Sequence, residues 1–289
     1  MLATRAGTLA DLFKQLVLAN AFAIQRPAEY WESHAQPALG SADPSDQHGV
    51  NHFLKVAPGN FDLAHTALYR FLEPVRKRKG VIAGTSWLAM RALGKDARRF
   101  LFCGQDAAAL QSIQAERRSL DVLETKVECI QEDGVALLRG ATMVLSEHWT
   151  GSTLAFIDAP PPQAIDAVTD AGISPLELWC EIANRGIPAM LGFGFSDTAS
   201  RIAVRRRIME AVQKTHLTGR KMFRFEGALT QTGEIAPPTP WGFGIMCANV
   251  ADAAITMADR ECFTLQSSFA GTTIEGWGDG MWKYFGEAC

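Results

Sequence analysis

Residues 8–25 show the spacing of apolar side chains that is typical of an amphipathic helix. Helical periodicity returns over residues 61–76 and is followed by a run of cations, which suits the negative end of a helix dipole. The stretch between them allows a short strand near Tyr30 and then becomes rich in Gly, Pro, Ser and Asp, which indicates a loop. The pattern therefore predicts two helices joined by a loop in this part of the chain.

From residue 80 onward, short apolar segments alternate with helical ones, as in consecutive β-α-β units. Strands joined by helices run parallel with right-handed crossovers. The last two strands are separated by a loop too short for a crossover helix, which favours an antiparallel addition at one edge. Strands are predicted within residues 80–85, 98–103, 126–134, 152–160, 187–195, 220–230 and 242–250. Helices are predicted within residues 86–93, 107–118, 135–145, 174–186 and 198–215, and from residue 251.

The apolar run Leu154-Ala155-Phe156-Ile157 is a predicted buried strand that leads directly into Asp158. In open α/β sheets, ligands bind at the carboxyl ends of the strands. Asp158 is therefore a candidate site residue. A strand that ends in a turn, with Asp158 as a capping residue, is the alternative.

Composition limits the classes of function. The chain has 289 residues, 47% hydrophobic and 20% charged, with a formal net charge of -3. It is long enough to bury a large core, and no overall basic field attracts it to nucleic acid. Its uninterrupted apolar runs are too short for a membrane span, and charged residues interrupt the N-terminal segment where a signal peptide would be apolar.

The cysteines are widely spaced and form no Cys-x-x-Cys pair. They are typical of reduced core thiols in a cytoplasmic protein rather than of a disulfide framework or a metal site. Six are present: Cys103, Cys129, Cys180, Cys247, Cys262 and Cys289.

Several segments, in order along nearly the whole chain, resemble the family of ribosomal RNA large-subunit methyltransferase J, whose members methylate N6 of an adenine in large-subunit rRNA. The resemblance implies a class I S-adenosylmethionine-dependent methyltransferase-like (Rossmann-like) α/β sandwich. It places a helical insertion at residues 45–79 within a domain formed by residues 1–44 and 80–289. The similar segments are RAGTLADLFKQ (5–15), YWESHAQPALG (30–40), AGTSWLAMRAL (83–93), EDGVALL (132–138) and AFIDAPPP (155–162).

The resemblance also assigns roles to individual residues. Asp158 stands at the position of the catalytic acidic residue, which orients the acceptor amine. The implied contacts to S-adenosylmethionine come from the residues that hold its amino-acid end, its adenine and its ribose. These are Lys14, His34 and Thr85 for the amino-acid end, Asp133 and Gly134 for the adenine, Cys103 at the ribose position, and Gln15 in place of an expected histidine.

Three departures weaken the match. Gln36-Pro37-Ala38 stands where the family has Gly-Ala-Gly, Cys103 replaces an acidic ribose acceptor, and Pro161 replaces the aromatic ring that stacks on the base. A purely structural role also stays open for several candidates, since Asp-Gly is a common turn and Thr85 could be a helix cap.

Three functions follow from the residues and the resemblance. The first is a methyltransferase acting on an RNA adenine, with RNA contacts from Arg76, Lys77, Arg78 and Lys79. The second is a family member that has lost catalysis and binds RNA or a protein partner. The third is a methyltransferase redirected to a small molecule.

Overall fold

The computed structural model describes residues 7–41, 49–78, 80–158, 165–217, 220–230, 242–269 and 281–289. Within these ranges, strands and helices alternate from residue 81 to residue 269, as the hydrophobic pattern predicts. The strands are β1 (Glu29–Glu32), β2 (Leu39–Ser41), β3 (Val81–Ala83), β4 (Arg99–Cys103), β5 (Lys126–Ile130), β6 (Thr153–Ile157), β7 (Ala189–Phe195), β8 (Met222–Thr230), β9 (Gly242–Ala248) and β10 (Met281–Ala288).

The helices fall into two groups, one before β3 and one between the later strands. Those before β3 are α1 (Leu9–Gln25), α2 (Val50–Val56), α3 (Phe61–Ala64) and α4 (Ala67–Arg76). The later ones are α5 (Thr85–Leu93), α6 (Ala107–Glu116), α7 (Gly134–Val144), α8 (Glu147–Thr150), α9 (Pro175–Asn184), α10 (Thr198–Lys214) and α11 (Asp252–Phe269).

Eight strands form the main sheet in the order β10-β8-β9-β7-β6-β1-β4-β5, and β2 and β3 form a separate two-stranded sheet. The pairs β5-β4, β4-β1, β1-β6 and β6-β7 are parallel. Strand β9 is antiparallel to both β7 and β8, so β8 runs in the same direction as β7. Strand β10 adds a further antiparallel edge.

Strands β6 and β7 are buried along their whole length, which explains why they are mostly apolar without alternation. Successive residues of β6 belong to different apolar clusters. Leu154 and Phe156 belong to the cluster that includes residues of α1, α5 and α11. Ala155 and Ile157 belong to the cluster that includes residues of α7, α9 and α10. The result is a three-layer α/β/α sandwich.

The predicted fold class, a methyltransferase-like Rossmann sandwich, is confirmed by this mostly parallel sheet with its reversed strand next to β7. The predicted helix over residues 61–76 is wrong in one respect, because it is broken into α3 and α4. Thr66 lies at the break and caps α4 by accepting a hydrogen bond from the backbone of Tyr69. A side-chain cap of this kind stabilises a new helix start.

Helices α2, α3 and α4 lie in the predicted insertion and pack against one another, and against α1 and α11. The proposed division of the chain into domains stays a prediction. In the part of the chain that the structure describes, none of the helices combines the length and the apolar character needed to cross a membrane.

Candidate functional site

The candidate site lies at the carboxyl edge of the sheet, where the parallel strands β1, β4, β5, β6 and β7 end. The chain leaves the central strand β1 toward β4 and β5 and later returns to β6 on its other side. Such a reversal of strand order forms the ligand crevice in open α/β sheets. The segment after β1 stays bonded to both neighbours, since Ser33 N donates to Phe156 O at 3.1 Å and Ala35 N donates to Cys103 O at 2.6 Å.

Lys14 of α1 reaches this edge and pairs with the predicted catalytic residue. Its Nζ lies 2.7 Å from Asp158 Oδ2 and 3.7 Å from Asp11 Oδ1. Lys14 is only 8% exposed. Burial acts to lower the pKa of Lys14, but the two carboxylates outweigh burial and raise the pKa above its ordinary value. The pair therefore holds Lys14 charged and fixes the orientation of Asp158.

The second oxygen of Asp158 is buried and has no hydrogen-bond partner among the described residues. It faces Gly192 of β7, where a Cβ atom would lie 2.4 Å from Oδ1. A buried acceptor without a donor is costly. Asp158 therefore has one oxygen bound by Lys14 and one buried oxygen without a donor among the described residues.

Glu32, at the end of β1, is a second buried carboxyl group beside Asp158. It accepts hydrogen bonds from Thr85 Oγ1 at 2.5 Å and from Tyr30 Oη at 3.2 Å. Burial is the main cause that raises the pKa of Glu32 to about 7, and the charge of Asp158 adds to it. The carboxyl edge of the sheet therefore brings together two neighbouring acidic groups and one lysine.

His34 follows β1, the strand that lies between β4 and β6 in the sheet. Burial lowers the pKa of its imidazole, while the charges of Asp158 and Asp133 act in the opposite direction. Its Nδ1 is 2.8 Å from Ser33 Oγ. The structure thus brings His34, Asp158 and Asp133 to one place, as their positions at strand ends predict.

Asp133 and Gly134 have structural functions at the start of α7. Asp133 Oδ1 accepts from Val135 N at 2.8 Å and from Ala136 N at 3.4 Å, which caps the helix. A Cβ at Gly134 would lie 1.6 Å from Ser33 O, so only glycine allows α7 to approach the loop after β1 this closely. Their predicted contact with the cofactor adenine stays a prediction.

Gln15 and Cys103 are both buried. Gln15 is 2% exposed and its Nε2 donates to Ala83 O at 2.7 Å, which ties α1 to the start of α5. Cys103 is fully buried in the apolar cluster on the α9 face, and burial raises the pKa of its thiol. Their roles in cofactor binding stay predictions.

The unusual loop after β1 packs on the start of α5. A Cβ at Gly84 would lie 2.4 Å from Pro37 O, and Ser86 Oγ donates to Gln36 O at 3.3 Å. Gly84 thus provides the close approach between this loop and the helix that presents Thr85 to Glu32.

The sequence analysis did not single out Tyr30, Asp11 or Gly192 as part of the site. Tyr30 is two residues before Glu32 on the same face of the strand, so the two-residue periodicity of a strand could have predicted that the two side chains lie together. Gly192 begins the repeated Gly-Phe pattern of residues 192–195. Its contact with Asp158 depends on the pairing of β6 with β7, which no local sequence pattern predicts.

The predicted RNA contacts are at the surface, where α4 ends. Arg76, Lys77 and Arg78 are exposed. Lys77 lies 3.3 Å from Glu73, and Arg78 lies 3.6 Å from Glu116. Lys79 and Pro161, which also entered the sequence analysis, lie outside the described residues.

The sheet order and its reversed strand define a protein with a methyltransferase-like Rossmann fold. No family model and no curated protein matches the sequence. Among solved structures, protein LPL1258 from Legionella pneumophila, described under the family model DUF519, superimposes with a TM-score of 0.68 at 17% identity, covering 98% of both chains. At this identity the likeness concerns the fold alone.

Two other solved structures are more distant. A precorrin 8W decarboxylase from Methanobacterium thermoautotrophicum has a TM-score of 0.34 at 9% identity, covering 56% of this chain and 76% of its own. An rRNA methylase from Streptococcus thermophilus has a TM-score of 0.36 at 10% identity, covering 81% of this chain and 94% of its own. Neither likeness bears on the function of this chain.

Proposed function

We propose that this chain is an S-adenosylmethionine-dependent methyltransferase that acts on an exocyclic amine, with an adenine of ribosomal RNA in the cytoplasm as the acceptor. This is the function that the resemblance of its segments to the methyltransferase J family implies. The observation that carries the proposal is Asp158, whose buried Oδ1 has no hydrogen-bond partner among the described residues at the carboxyl edge of the sheet.

The geometry around Asp158 suits an amine substrate. An N–H of the amine would donate to Oδ1, while Lys14 occupies Oδ2 at 2.7 Å. A donor fixed in this way sets the direction of the nitrogen lone pair, which is the positioning that methyl transfer requires. Because Lys14 and Gly192 hold Asp158 from two sides, the acceptor is ordered before the substrate binds.

The charges of the cleft fit the proposed cofactor. S-adenosylmethionine supplies a methyl group on a cationic sulfonium and also carries an ammonium group. Glu32 and Asp158 are neighbouring carboxyl groups with Lys14 as the nearby cation, so a cationic ligand would relieve their mutual repulsion. Thr85 and His34 lie at the same edge and would hold its polar groups.

Isothermal titration with S-adenosylmethionine and with S-adenosylhomocysteine tests cofactor binding directly. Transfer of a labelled methyl group to rRNA fragments then tests the reaction. Asp158→Asn should abolish transfer while cofactor binding persists, because the amide offers a donor where the amine needs an acceptor. Asp96→Asn, at an exposed pair with Arg26, is the matched control and should retain activity.

A catalytically inactive RNA- or protein-binding module is the second candidate. It is favoured by Cys103, which is buried among apolar side chains where the family has an acidic ribose acceptor. Absence of heat for both cofactor forms, in a folded protein that still binds RNA, would support this candidate. A methyltransferase for a small molecule, the third reading, would instead bind the cofactor but show no salt-dependent RNA affinity.

The RNA partner is proposed to contact Arg76, Lys77, Arg78 and Lys79. Replacing Arg76 and Arg78 by glutamine should weaken RNA binding and reduce its salt dependence, without changing cofactor affinity.

A further inference from the structure

A second carboxylate lies beside Lys14, the lysine that binds Asp158. Asp11 is three residues before Lys14 on α1, and its Oδ1 lies 3.7 Å from Lys14 Nζ. The side chains of Lys14, Asp158 and Asp11 are 10%, 17% and 32% exposed, so their charges interact more strongly than they would in open water. Asp11 therefore acts on the same ammonium group as the candidate catalytic residue.

The two oxygens of Asp11 have separate partners. Asp11 Oδ2 accepts from Gly7 N at 2.9 Å, from Thr8 N at 3.0 Å and from Thr8 Oγ1 at 3.0 Å. Asp11 N in turn donates to Thr8 Oγ1 at 3.3 Å, which completes a capping box at the start of α1. Because three donors hold one oxygen of the carboxylate, the other oxygen is fixed on the side of Lys14.

The residue before the cap anchors this arrangement to the rest of the fold. Gly7 O accepts from Val50 N of α2 at 2.9 Å. A Cβ at Gly7 would lie 2.5 Å from Ile82 Cδ1 of β3, and its φ of +84° lies in the left-handed region that favours glycine. The start of α1 is thus held between α2 and β3, and Asp11 is held with it.

Lys14 donates to only one oxygen of Asp158. A lysine ammonium can donate three hydrogen bonds, yet the buried Oδ1 of Asp158 receives none from Lys14 or from any other described residue. An ammonium with Asp158 as its single counter-ion would be attracted equally to both oxygens of that carboxylate. Asp11 offers a second negative charge, so Nζ lies within reach of Asp11 and of Oδ2 alone.

We propose that Asp11 is a positioning residue that holds Lys14 on Oδ2 of Asp158 and so keeps Oδ1 free of an internal donor. This inference rests on the proposed function, because Oδ1 is the oxygen to which the substrate amine would donate. Asp11 itself touches no substrate and acts through Lys14. An aspartate that only caps α1 is the alternative that the test must separate.

Two substitutions at Asp11 separate its charge from its cap. Glutamate and glutamine both complete a capping box at this position, so Asp11→Glu and Asp11→Gln differ in charge alone. Asp11→Glu should retain kcat for methyl transfer to an rRNA fragment. Asp11→Gln should lower kcat on the order of 10-fold and change the KM for the fragment little, because the acceptor oxygen is then misplaced or occupied.

The control is an acidic residue with the same capping function on another helix. Glu177 completes the capping box of α9, on the opposite face of the sheet from α1, and Glu177→Gln should leave kcat unchanged. Equal kcat values for folded Asp11→Gln and Asp11→Glu would show that Asp11 only caps α1 and would overturn the inference. Should Asp11→Gln not fold, Asp11→Asn removes the same charge with the smallest change of shape.

A crystal structure of the uncharged variant tests the position of Lys14 without any activity. Lys14 Nζ should move to within hydrogen-bond distance of Asp158 Oδ1. Asp158-dependent methyl transfer in the parent, with Nζ still on Oδ2 alone in the variant, would reject only the positioning role. A displaced Nζ, in a protein whose parent transfers no methyl group, would reject only the methyltransferase.

Discussion

At the scale of single residues, the site is organised by one buried ion pair. Lys14 and Asp158 are 144 residues apart in sequence and 2.7 Å apart in the fold. A buried pair gains little net stability, because both charges lose hydration. Its value here is orientation, since Lys14 binds one oxygen of Asp158 and leaves the other facing Gly192 without a partner in the described chain.

Gly192→Ala should displace Asp158. The new Cβ would lie 2.4 Å from Oδ1, so either the carboxylate or strand β7 must move. We expect a loss of about 1–3 kcal/mol in the free energy of unfolding and a marked fall in methyl transfer. Urea denaturation and single-turnover kinetics measure the two effects.

Gly140→Ala is the control for this substitution. Gly140 is in the interior of α7, and a Cβ there meets no atom within 4 Å, so alanine should stabilise the chain by about 0.5–1 kcal/mol. Equal stability changes at Gly140 and Gly192 would contradict the close contact with Asp158.

At the scale of elements, the hydrophobic pattern predicted most of the strands and helices after residue 80. It succeeded there because fully buried strands are short apolar runs and their crossover helices are amphipathic. It could not predict β10, because β10 pairs with β8, a strand that is distant in the sequence. The break between α3 and α4 was also missed, because apolar spacing continues through Thr66 and only the local cap ends one helix and starts the next.

Thr66→Ala should destabilise the start of α4. Thr66 is 1% exposed, accepts from Tyr69 N at 3.2 Å and donates to Leu63 O at 2.7 Å. Loss of the cap should cost about 1–2 kcal/mol in the free energy of unfolding. Ser146→Ala is the control, because Ser146 precedes α8 without a side-chain cap bond. A cost at Ser146 as large as that at Thr66 would argue against the cap.

The sequence predicted only those site residues that directly follow predicted strands. Asp158, His34 and Asp133 follow predicted strands, and the carboxyl ends of parallel strands meet at one edge. The resemblance added Lys14, which no periodicity selects. The apolar packing of Cys103 and the bond from Gln15 to Ala83 depend on how whole layers stack, which no local pattern specifies.

At the scale of the whole molecule, the formal net charge of -3 does not describe the carboxyl edge of the sheet by itself. There Glu32 lies near Asp158, and Lys14 pairs with Asp158 at 2.7 Å. Two carboxyl groups beside one lysine would favour a cationic ligand.

The buried carboxyl group of Glu32 should also make stability depend on pH. The folded-state pKa of Glu32 is about 7, against an ordinary value of 4.5, so the folded chain binds more protons than the unfolded chain between these values. Stability from this group is therefore lost as pH rises from about 4.5 to 7, and stays lost above 7. The burial that lowers the pKa of His34 acts in the opposite direction, so the two effects overlap in the parent protein.

Glu32→Gln isolates the contribution of this carboxyl group. The amide keeps the shape of the side chain and still accepts a hydrogen bond from Thr85, but it does not titrate. The free energy of unfolding of the variant should therefore increase relative to that of the parent as pH rises. The gain between pH 4.5 and pH 8 should approach about 3 kcal/mol, measured by urea denaturation with tryptophan fluorescence. Glu210→Gln, at an exposed pair with Arg206, is the control, and its free energy of unfolding should differ little from that of the parent over this pH range. A Glu32→Gln curve parallel to that of the parent would mean that Glu32 is not held in a cleft where its charge is penalised, and the case for a cationic ligand there would be lost.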